Sequence, residues 1–291
     1  EKTVVVLPDE SLLFPVLNSL PTHIDKINVT MGFSLTSTTL YGLLEYLLQL
    51  QQKARKHANG EVSFYYKNVL QIFKHPLVNQ LIPEISFANI YNIESKNLIN
   101  VKIAQLEQDA TIMPALFVKL DTSGAIINCL QKIIGLIAAS ESTSALEKEF
   151  AYQFYTQLNK VGELIDQFKL NLELEAFIRL FRQMMQQLRL PFTGEPLNGL
   201  QIMGVLETRN LDFENVFILS MNEGTFPAAG KGHSFIPYNI RKAYDLPTFD
   251  HQDAIYAYLF YRLLQYGKNV HLFYNTEGGA TGGAELSRYV Q

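Results

Sequence analysis

The spacing of apolar residues at the start of the chain predicts alternating strands and helices. Residues 4–7 form a short β-branched run that ends at Pro8, after which apolar residues recur at helical spacing. Residues 27–30 form a second β-like run, and residues 40–50 have the spacing of a helix. Short β-branched runs bounded by turn signals are typical of strands, so this opening predicts an α/β unit.

The middle of the chain has a different pattern. From about residue 64 to residue 190, apolar residues recur every three or four positions, which predicts a mainly helical region. Prolines interrupt the first part of this region, and the segment 191–196, with a proline at each end, closes it.

The last third of the chain returns to the alternating pattern. Residues 200–206, 216–219 and 270–274 are strand-like, and residues 252–266 have helical spacing. Strands that alternate with helices are typical of a parallel, doubly wound sheet.

These patterns predict two domains, and the composition agrees with a folded chain. Residues 1–76 and 195–291 are predicted to form one α/β domain, with a helical domain, residues 77–194, inserted between them. Hydrophobic residues make up 47% of the chain and charged residues 18%, which excludes intrinsic disorder.

The charge and cysteine content restrict partners and compartment. The 24 Lys and Arg residues against 28 Asp and Glu residues give a net charge of −4, so binding to nucleic acid would need a local groove. A single cysteine excludes an internal disulfide and favours a cytoplasmic protein.

The sequence contains neither a signal-peptide pattern nor a long apolar span, so we predict no membrane contact. The chain opens without Met close to a predicted strand, so we expect it to be part of a longer protein.

Three local patterns resemble ligand sites but differ in detail. Residues 224–231 follow a predicted strand, as a phosphate-binding loop does, yet five residues instead of four separate the glycines, and Pro227 removes a backbone donor. The glycine-rich residues 278–283 are predicted to be a flexible connection. The acidic cluster at 250–253 fits no common metal-ligand spacing and is typical of a helix N-terminus.

The nucleophilic and imidazole side chains do not form a catalytic pattern. Cys129 lies in a largely apolar run, so it is predicted to be a buried structural thiol. The histidines occur in unrelated contexts, and none neighbours a Ser or Cys in a nucleophile-elbow pattern. We therefore predict no catalytic residue and no metal site.

Residues 200–227 are the most informative stretch of the sequence. They contain a predicted strand, a polar turn, a second predicted strand and an acidic loop. Open α/β sheets bind ligands at the carboxyl ends of their strands, which is where this turn is expected. Arg209 could bind a phosphate there, and Asn210 could adopt a left-handed backbone conformation. A solvated loop arginine is the competing interpretation.

This stretch resembles the pattern hxxxxARGLEFDxVFhhGhxEGxFP, where h is apolar, from the carboxyl-terminal motor half of UvrD-type superfamily-one helicases. The similarity is greatest to their AddB-like and RecC-like helicase-nuclease relatives. The segment 208–213 matches ARGLEF, and the segment 222–227 matches xEGxFP. The residues that define the motif are Leu211, Phe213, Glu223, Gly224, Phe226 and Pro227. Weaker similarities cover most of residues 1–80, and the tail around Ser287 resembles the S-x-F/Y region of the same family.

The resemblance implies a RecA-like, P-loop NTPase-like second motor domain with a helical insertion. The phosphate-binding loop of such proteins lies in an upstream half, and AddB-like proteins often carry a downstream PD-(D/E)XK nuclease domain. The implied partners are single-stranded DNA, a partner helicase-nuclease subunit and these two flanking parts. No cofactor is expected in this segment, and ATP with Mg²⁺ would be needed only if the upstream half is an active motor.

Three positions differ from active motors. Active members have Gly where this chain has Asn210, and usually Glu where it has Asp212. They also carry an arginine that stabilises the transferring phosphate. Gln265 occupies the corresponding position, and Arg262 lies nearly one turn earlier.

Three functions remain open at this stage. The first is a helicase-like subunit without ATPase activity that binds DNA in double-strand-break repair or recombination, with Thr208, Arg209 and Asn210 as DNA contacts. The second is half of an active ATP-dependent helicase, with Arg209, Asp212 and Arg262 contacting nucleotide. The third is a structural scaffold for the nuclease domain. If the full-length protein hydrolyses ATP and Arg262→Ala abolishes that hydrolysis, the active helicase is favoured over the subunit without ATPase activity.

Overall fold

The computed structural model describes residues 2–24, 26–108, 111–170, 172–190, 199–228, 235–277 and 285–290. Short strands and longer helices alternate along the chain, and the fold is α/β. The strands are β1 (Thr3–Val6), β2 (Ile27–Val29), β3 (Phe33–Ser34), β4 (Arg55–Lys56), β5 (Val62–Tyr65), β6 (Asn100–Lys102), β7 (Arg189–Leu190), β8 (Leu200–Met203), β9 (Asn215–Ile218) and β10 (Asn269–Leu272).

The helices follow the predicted periodicity, with the longest in the middle of the chain. They are α1 (Leu13–Ser19), α2 (Thr39–Lys53), α3 (Tyr66–Phe73), α4 (Pro76–Leu81), α5 (Pro83–Ser95), α6 (Met113–Leu116), α7 (Ser123–Ala139), α8 (Ala145–Gln167), α9 (Leu174–Gln187), α10 (Tyr238–Ala243) and α11 (Phe249–Leu264). Single 3₁₀ turns cover Glu10–Leu12, Leu35–Ser37, Ile103–Gln105 and Leu206–Thr208.

The chain forms two compact units. The first contains residues 1–33 and 191–291, and the second contains residues 34–190. The first boundary therefore differs from the one predicted at residue 76. The difference arises because α2 packs against α3, α8 and α9 of the second unit. Its Leu43, Leu44 and Leu48 are fully buried there. A strand followed by a helix has the same local pattern whichever core it joins.

The first unit is built on a five-stranded sheet with the order β10-β9-β1-β8-β2. Every neighbouring pair in this sheet is parallel. The predicted parallel sheet is confirmed, and each of its five strands begins within one residue of the run expected from sequence. Parallel neighbours need long connections, which is why the strands are separated by helices and loops.

One face of this sheet carries the core of the first unit. The register aligns Val4 with Val216, and Val6 with Ile218 and Met203, so these side chains share a face. They are buried with Phe213, Met221, Phe226, Phe260 and Leu263. Helix α11 thus covers the sheet through Phe260 and Leu263.

The second unit combines helices with a small antiparallel sheet of β4, β5 and β6. Helices α7 and α8 form its main helical hairpin. Ser144 and Glu147 form a capping box at the start of α8, the S-x-x-E signal that the sequence carries at the beginning of this long helix. The strands β3 and β7 pair with each other as a two-stranded sheet.

A buried histidine in the second unit makes its stability depend on pH. The His75 ring is 6% exposed and lies edge-on to Tyr46, and its Nδ1 has no hydrogen-bond partner in the described ranges. Desolvation lowers the pKa of His75. As the pH falls, the unfolded chain therefore takes up a proton on this imidazole before the folded chain does.

We expect the second unit to be most stable above about pH 6.5, the ordinary imidazole pKa, and to lose stability as the pH falls below it. Denaturation midpoints measured across this range should depend less on pH in His75→Gln. The matched control is His23→Gln, since His23 is exposed. Equal pH dependence in His75→Gln and the wild type would contradict this role of His75.

Candidate functional site

The topology of the parallel sheet points to one crevice. The chain leaves β1 towards β2, past β8, and leaves β9 towards β10 on the other side. Because β1 and β9 are neighbours whose connections run in opposite directions, their carboxyl ends flank a topological switch point. Ligands of open α/β sheets bind at such a point, so the loops at this edge form the candidate site.

The loop after β8 places the three predicted DNA contacts in different environments. Thr208 is buried, and its hydroxyl donates to the Val205 carbonyl at 2.7 Å, so this side chain stabilises the 3₁₀ turn. Arg209 and Asn210 are exposed just beyond that turn. Asn210 has a φ of 62°, which confirms the left-handed conformation expected at this residue. Among the described residues no carboxylate lies within ion-pair distance of Arg209.

The next residues return the chain across the sheet to β9. Phe213 enters the core, whereas Asp212 is exposed and pairs with Arg262 of α11, with Oδ1 and Nη1 2.7 Å apart. The ion pair with Asp212 raises the pKa of Arg262. The guanidinium also lies over the Tyr266 ring, 4.7 Å from its centroid. Two of the three predicted nucleotide contacts are therefore bound to each other, and Arg209 has no such partner among the described residues.

The end of α11 carries the position where the resemblance places a catalytic arginine. Gln265 is the C-terminal cap of this helix and is exposed. Its uncharged amide provides no positive charge for a transferring phosphate. Arg262 is about one turn away, and its guanidinium is already engaged as described above.

The acidic loop after β9 is held by its own side chains. The Asn222 amide donates to the Asn275 carbonyl at 2.7 Å and accepts from the Asn275 N–H at 2.9 Å. Gly224 has a φ of 86°, and Phe226 is 2% exposed within the core. Gly224 and Phe226, two of the predicted motif residues, thus set the backbone path and the packing of this loop and do not offer reactive groups at its surface.

The C-terminal segment packs on the same loop. The Ser287 N–H donates to the Met221 carbonyl at 2.9 Å. Arg288 donates through Nε to Glu223 at 2.9 Å and through Nη1 to Asp253 at 3.1 Å, and its bond to Glu223 lowers the pKa of that carboxyl. The Tyr289 ring lies 5.6 Å from that of Phe226. Arg288 was not predicted as a site residue, although the S-x-F/Y similarity around Ser287 was a signal for this segment.

A cavity of about 200 Å³ lies beside these contacts. It is lined by Glu223, Gly224, Pro227, Ala228, Phe249, Gln252, Asp253 and Arg288. Two carboxylates flank the single guanidinium, so the charge in this cavity does not favour a phosphate group.

Acidic side chains also follow the neighbouring strands at the carboxyl edge. Asp9 and Glu10 come after β1, and Glu207 comes after β8. The Asp9 carboxylate accepts the Ser11 N–H at 3.0 Å and caps a 3₁₀ turn. Phosphate binding at this edge would therefore depend on Arg209 and on backbone N–H groups.

Several other predictions fall partly outside the described residues. Residues 229–231 of the 224–231 loop and the glycine-rich residues 278–283 lie there. Asp250 and Asp253 lie near the start of α11, as predicted for a helix N-terminus rich in acidic residues. His251 Nδ1 lies 2.9 Å from the Thr248 hydroxyl. Within the described ranges, no three His, Cys, Asp or Glu side chains form a group able to hold a metal ion.

Cys129 is partly buried, whereas a buried structural thiol was predicted. Its Sγ donates to the Ala115 carbonyl at 3.0 Å, and burial raises the pKa of the thiol to about 11. A thiol that is protonated at neutral pH is a poor nucleophile.

No protein-family model matches the chain, and no curated protein is significantly similar to it in sequence. None of the helices in the described part of the chain combines the length and apolar character needed to cross a membrane. A proposal about function therefore rests on the geometry of this edge and on the motif of residues 200–227.

Proposed function

We propose that this chain is a helicase-like, DNA-binding module of a longer protein, related to the AddB-like and RecC-like subunits that act in double-strand-break repair. In this proposal the first unit is a RecA-like domain of the P-loop NTPase class, equivalent to a second motor domain. It binds single-stranded DNA and works with an upstream motor half, a downstream nuclease domain and a partner subunit.

The observation that carries the proposal is the backbone conformation of residues 208–227. The family pattern has glycine at three positions of this stretch, which correspond to Asn210, Ser220 and Gly224. All three residues have positive φ, at 62°, 52° and 86°. Non-glycine residues with positive φ are a few per cent of all residues, so agreement at all three positions supports a backbone path like that of the family.

The sheet supports the same assignment. A five-stranded parallel sheet with a switch point between β1 and β9 is compatible with a RecA-like core. The segments matched to the family, residues 222–227 and the tail at Ser287, contact each other in the first unit. Two separate similarities along the sequence are thus parts of one local arrangement.

The charges near α11 support a module that does not hydrolyse ATP. Gln265 cannot replace a catalytic arginine, and Arg262 is bound by Asp212 and stacked on Tyr266. Loss of such an arginine costs on the order of a thousandfold in phosphoryl-transfer rate. An active motor would need Arg262 to leave both partners.

Binding to DNA is tested by a salt series with the Arg209→Ala variant. We expect the chain to bind a short fluorescent single-stranded DNA at low salt, with an affinity that falls as salt is raised. Arg209→Ala removes one exposed cation from the candidate site. It should weaken binding and reduce the slope of log affinity against log salt by about 0.7.

The matched control is Arg179→Ala, an exposed arginine on α9 in the other unit, which should leave the slope unchanged. An unchanged slope in Arg209→Ala would remove this residue from the DNA interface. Absence of binding even at low salt would contradict the proposed function and favour a structural scaffold.

A further inference from the structure

Helix α5 in the second unit has its polar and aromatic faces inverted. Ser86 and Asn89 are fully buried, whereas Phe87 is 74% exposed and Tyr91 is 67% exposed. The side-chain amide of Asn89 forms two hydrogen bonds with the backbone of Glu107. Its Nδ2 donates to the Glu107 carbonyl at 3.1 Å, and its Oδ1 accepts the Glu107 N–H at 2.7 Å. A surface helix normally buries its aromatic residues, so packing in the core of this unit does not explain the two exposed rings of α5.

The exposed aromatic row leads to a cavity. Phe87, Tyr91 and Glu94 are spaced four and three residues apart, so they follow one face of α5. Glu94 lines a cavity of about 560 Å³, a size typical of ligand pockets. The other lining residues are Tyr65, Tyr66, Ile93, Asn97, Leu98 and Ile99. The two tyrosine rings lie 5.0 Å apart at 71° and give the cavity an aromatic wall.

Four lysines contact residues that line this cavity or lie next to them in the sequence. Lys53 Nζ lies 6.0 Å from the centroid of the Tyr65 ring, and Lys74 Nζ pairs with Glu94 at 2.8 Å. Lys67 follows Tyr66 directly, Lys96 lies between Glu94 and Asn97, and both are exposed. These four lysines outnumber the two exposed carboxylates on this face of α5, Glu84 and Glu94, so the surface has a positive excess, in contrast to the acidic carboxyl edge of the sheet.

We infer that this tyrosine surface, formed by Phe87, Tyr91, Tyr65 and Tyr66, binds single-stranded nucleic acid by stacking on its bases. The inference rests on the proposed function and assigns the base contacts to the second unit. Exposed aromatic rings beside lysines are what strands without base pairing require, with rings for the bases and cations for the phosphates. Lysine is depleted at protein interfaces, so the same surface fits a protein partner less well.

The test compares single-ring deletions on the full chain with a fluorescent oligothymidylate as the probe. Phe87→Ala and Tyr91→Ala remove exposed rings and leave the core of the unit intact. Each should weaken binding by about fivefold or more, as the removal of one base-stacking ring does. Tyr152→Ala on α8, where the ring is 63% exposed, is the matched control and should bind like the wild type.

An abasic strand of the same length separates stacking from charge. With this probe the two variants should bind as the wild type does, because no bases remain to stack. Lys67→Gln combined with Lys96→Gln should instead reduce the salt slope for both strands, by about 0.7 for each phosphate that is no longer neutralised.

The outcomes distinguish this inference from the proposed function. If the wild type binds the oligothymidylate and Phe87→Ala and Tyr91→Ala bind equally well, the tyrosine surface is not the base-binding site and suits a protein partner instead. Equal weakening on the abasic strand would also overturn stacking. If the wild type binds no strand at low salt, the proposed function fails and this inference fails with it.

Discussion

Phe226→Ala is expected to lower the free energy of unfolding of the first unit by about 3–5 kcal/mol. The ring is 2% exposed and packs against Tyr256, Phe260 and Tyr289, with centroids 5.9, 5.8 and 5.6 Å away. Its removal leaves a cavity between α11, the acidic loop and the C-terminal segment, and those parts of the chain cannot all close on it at once.

The measurement must report on the first unit alone, because a chain with two units need not unfold in one step. The chain contains no Trp, so intrinsic fluorescence offers no probe confined to one unit. Hydrogen exchange read on peptides from β1, β8 and β9 provides that resolution. The fully exposed Phe235 supplies the control, since Phe235→Ala should change stability by less than about 0.5 kcal/mol. A loss below about 1 kcal/mol in Phe226→Ala would show that this cluster is not the core of the unit.

Gly199→Ala is the second substitution with a large expected effect. Gly199 has a φ of 78°, and a Cβ atom there would lie 2.1 Å from the Lys26 carbonyl oxygen. That oxygen accepts the Leu200 N–H at 2.9 Å and begins the pairing of β2 with β8. Alanine must both adopt a strained backbone and displace this bond, so we expect a loss of more than about 2 kcal/mol.

The substitution Gly135→Ala should change stability in the opposite direction and stabilise the second unit. Gly135 lies inside α7, is exposed, and has open space around the position of a Cβ atom. Alanine favours the helix by about 1 kcal/mol there. Hydrogen exchange on peptides from β2 and β8 for one variant, and from α7 for the other, measures both effects. Similar exchange in Gly199→Ala and the wild type would mean that β2 and β8 pair in another register.

The strands of the sheet in the first unit could be predicted because each is a short run that contains apolar and β-branched residues. Val4, Val216 and Ile202 are fully buried, so a continuous apolar run was a correct sign of a central parallel strand. The domain boundary after residue 33 was predicted wrongly at residue 76, because the pattern of α2 shows that it has a buried face without showing which core that face joins.

The site was predictable only where one residue type carries a local signal. Asn210 was expected to be left-handed because Asn tolerates that conformation, whereas Ser220 gives no such sign although its φ is 52°. The pair between Asp212 and Arg262 joins residues fifty positions apart and depends on the path of the loop over α11. The inverted α5 was missed because Ser86 and Asn89 are polar, and polar residues are ordinarily assigned to the exposed face.

The second unit also determines how the two strands β2 and β8 are joined. They are parallel neighbours, with Val29 opposite Ile202, so the chain leaving β2 must travel back along the sheet before it enters β8. In most α/β proteins a single crossover helix makes that return. Here the connection between β2 and β8 contains the whole second unit, residues 34–190. An engineered first unit lacking the second would therefore need a replacement crossover of about a dozen residues or more, because a tight turn cannot join two parallel strands.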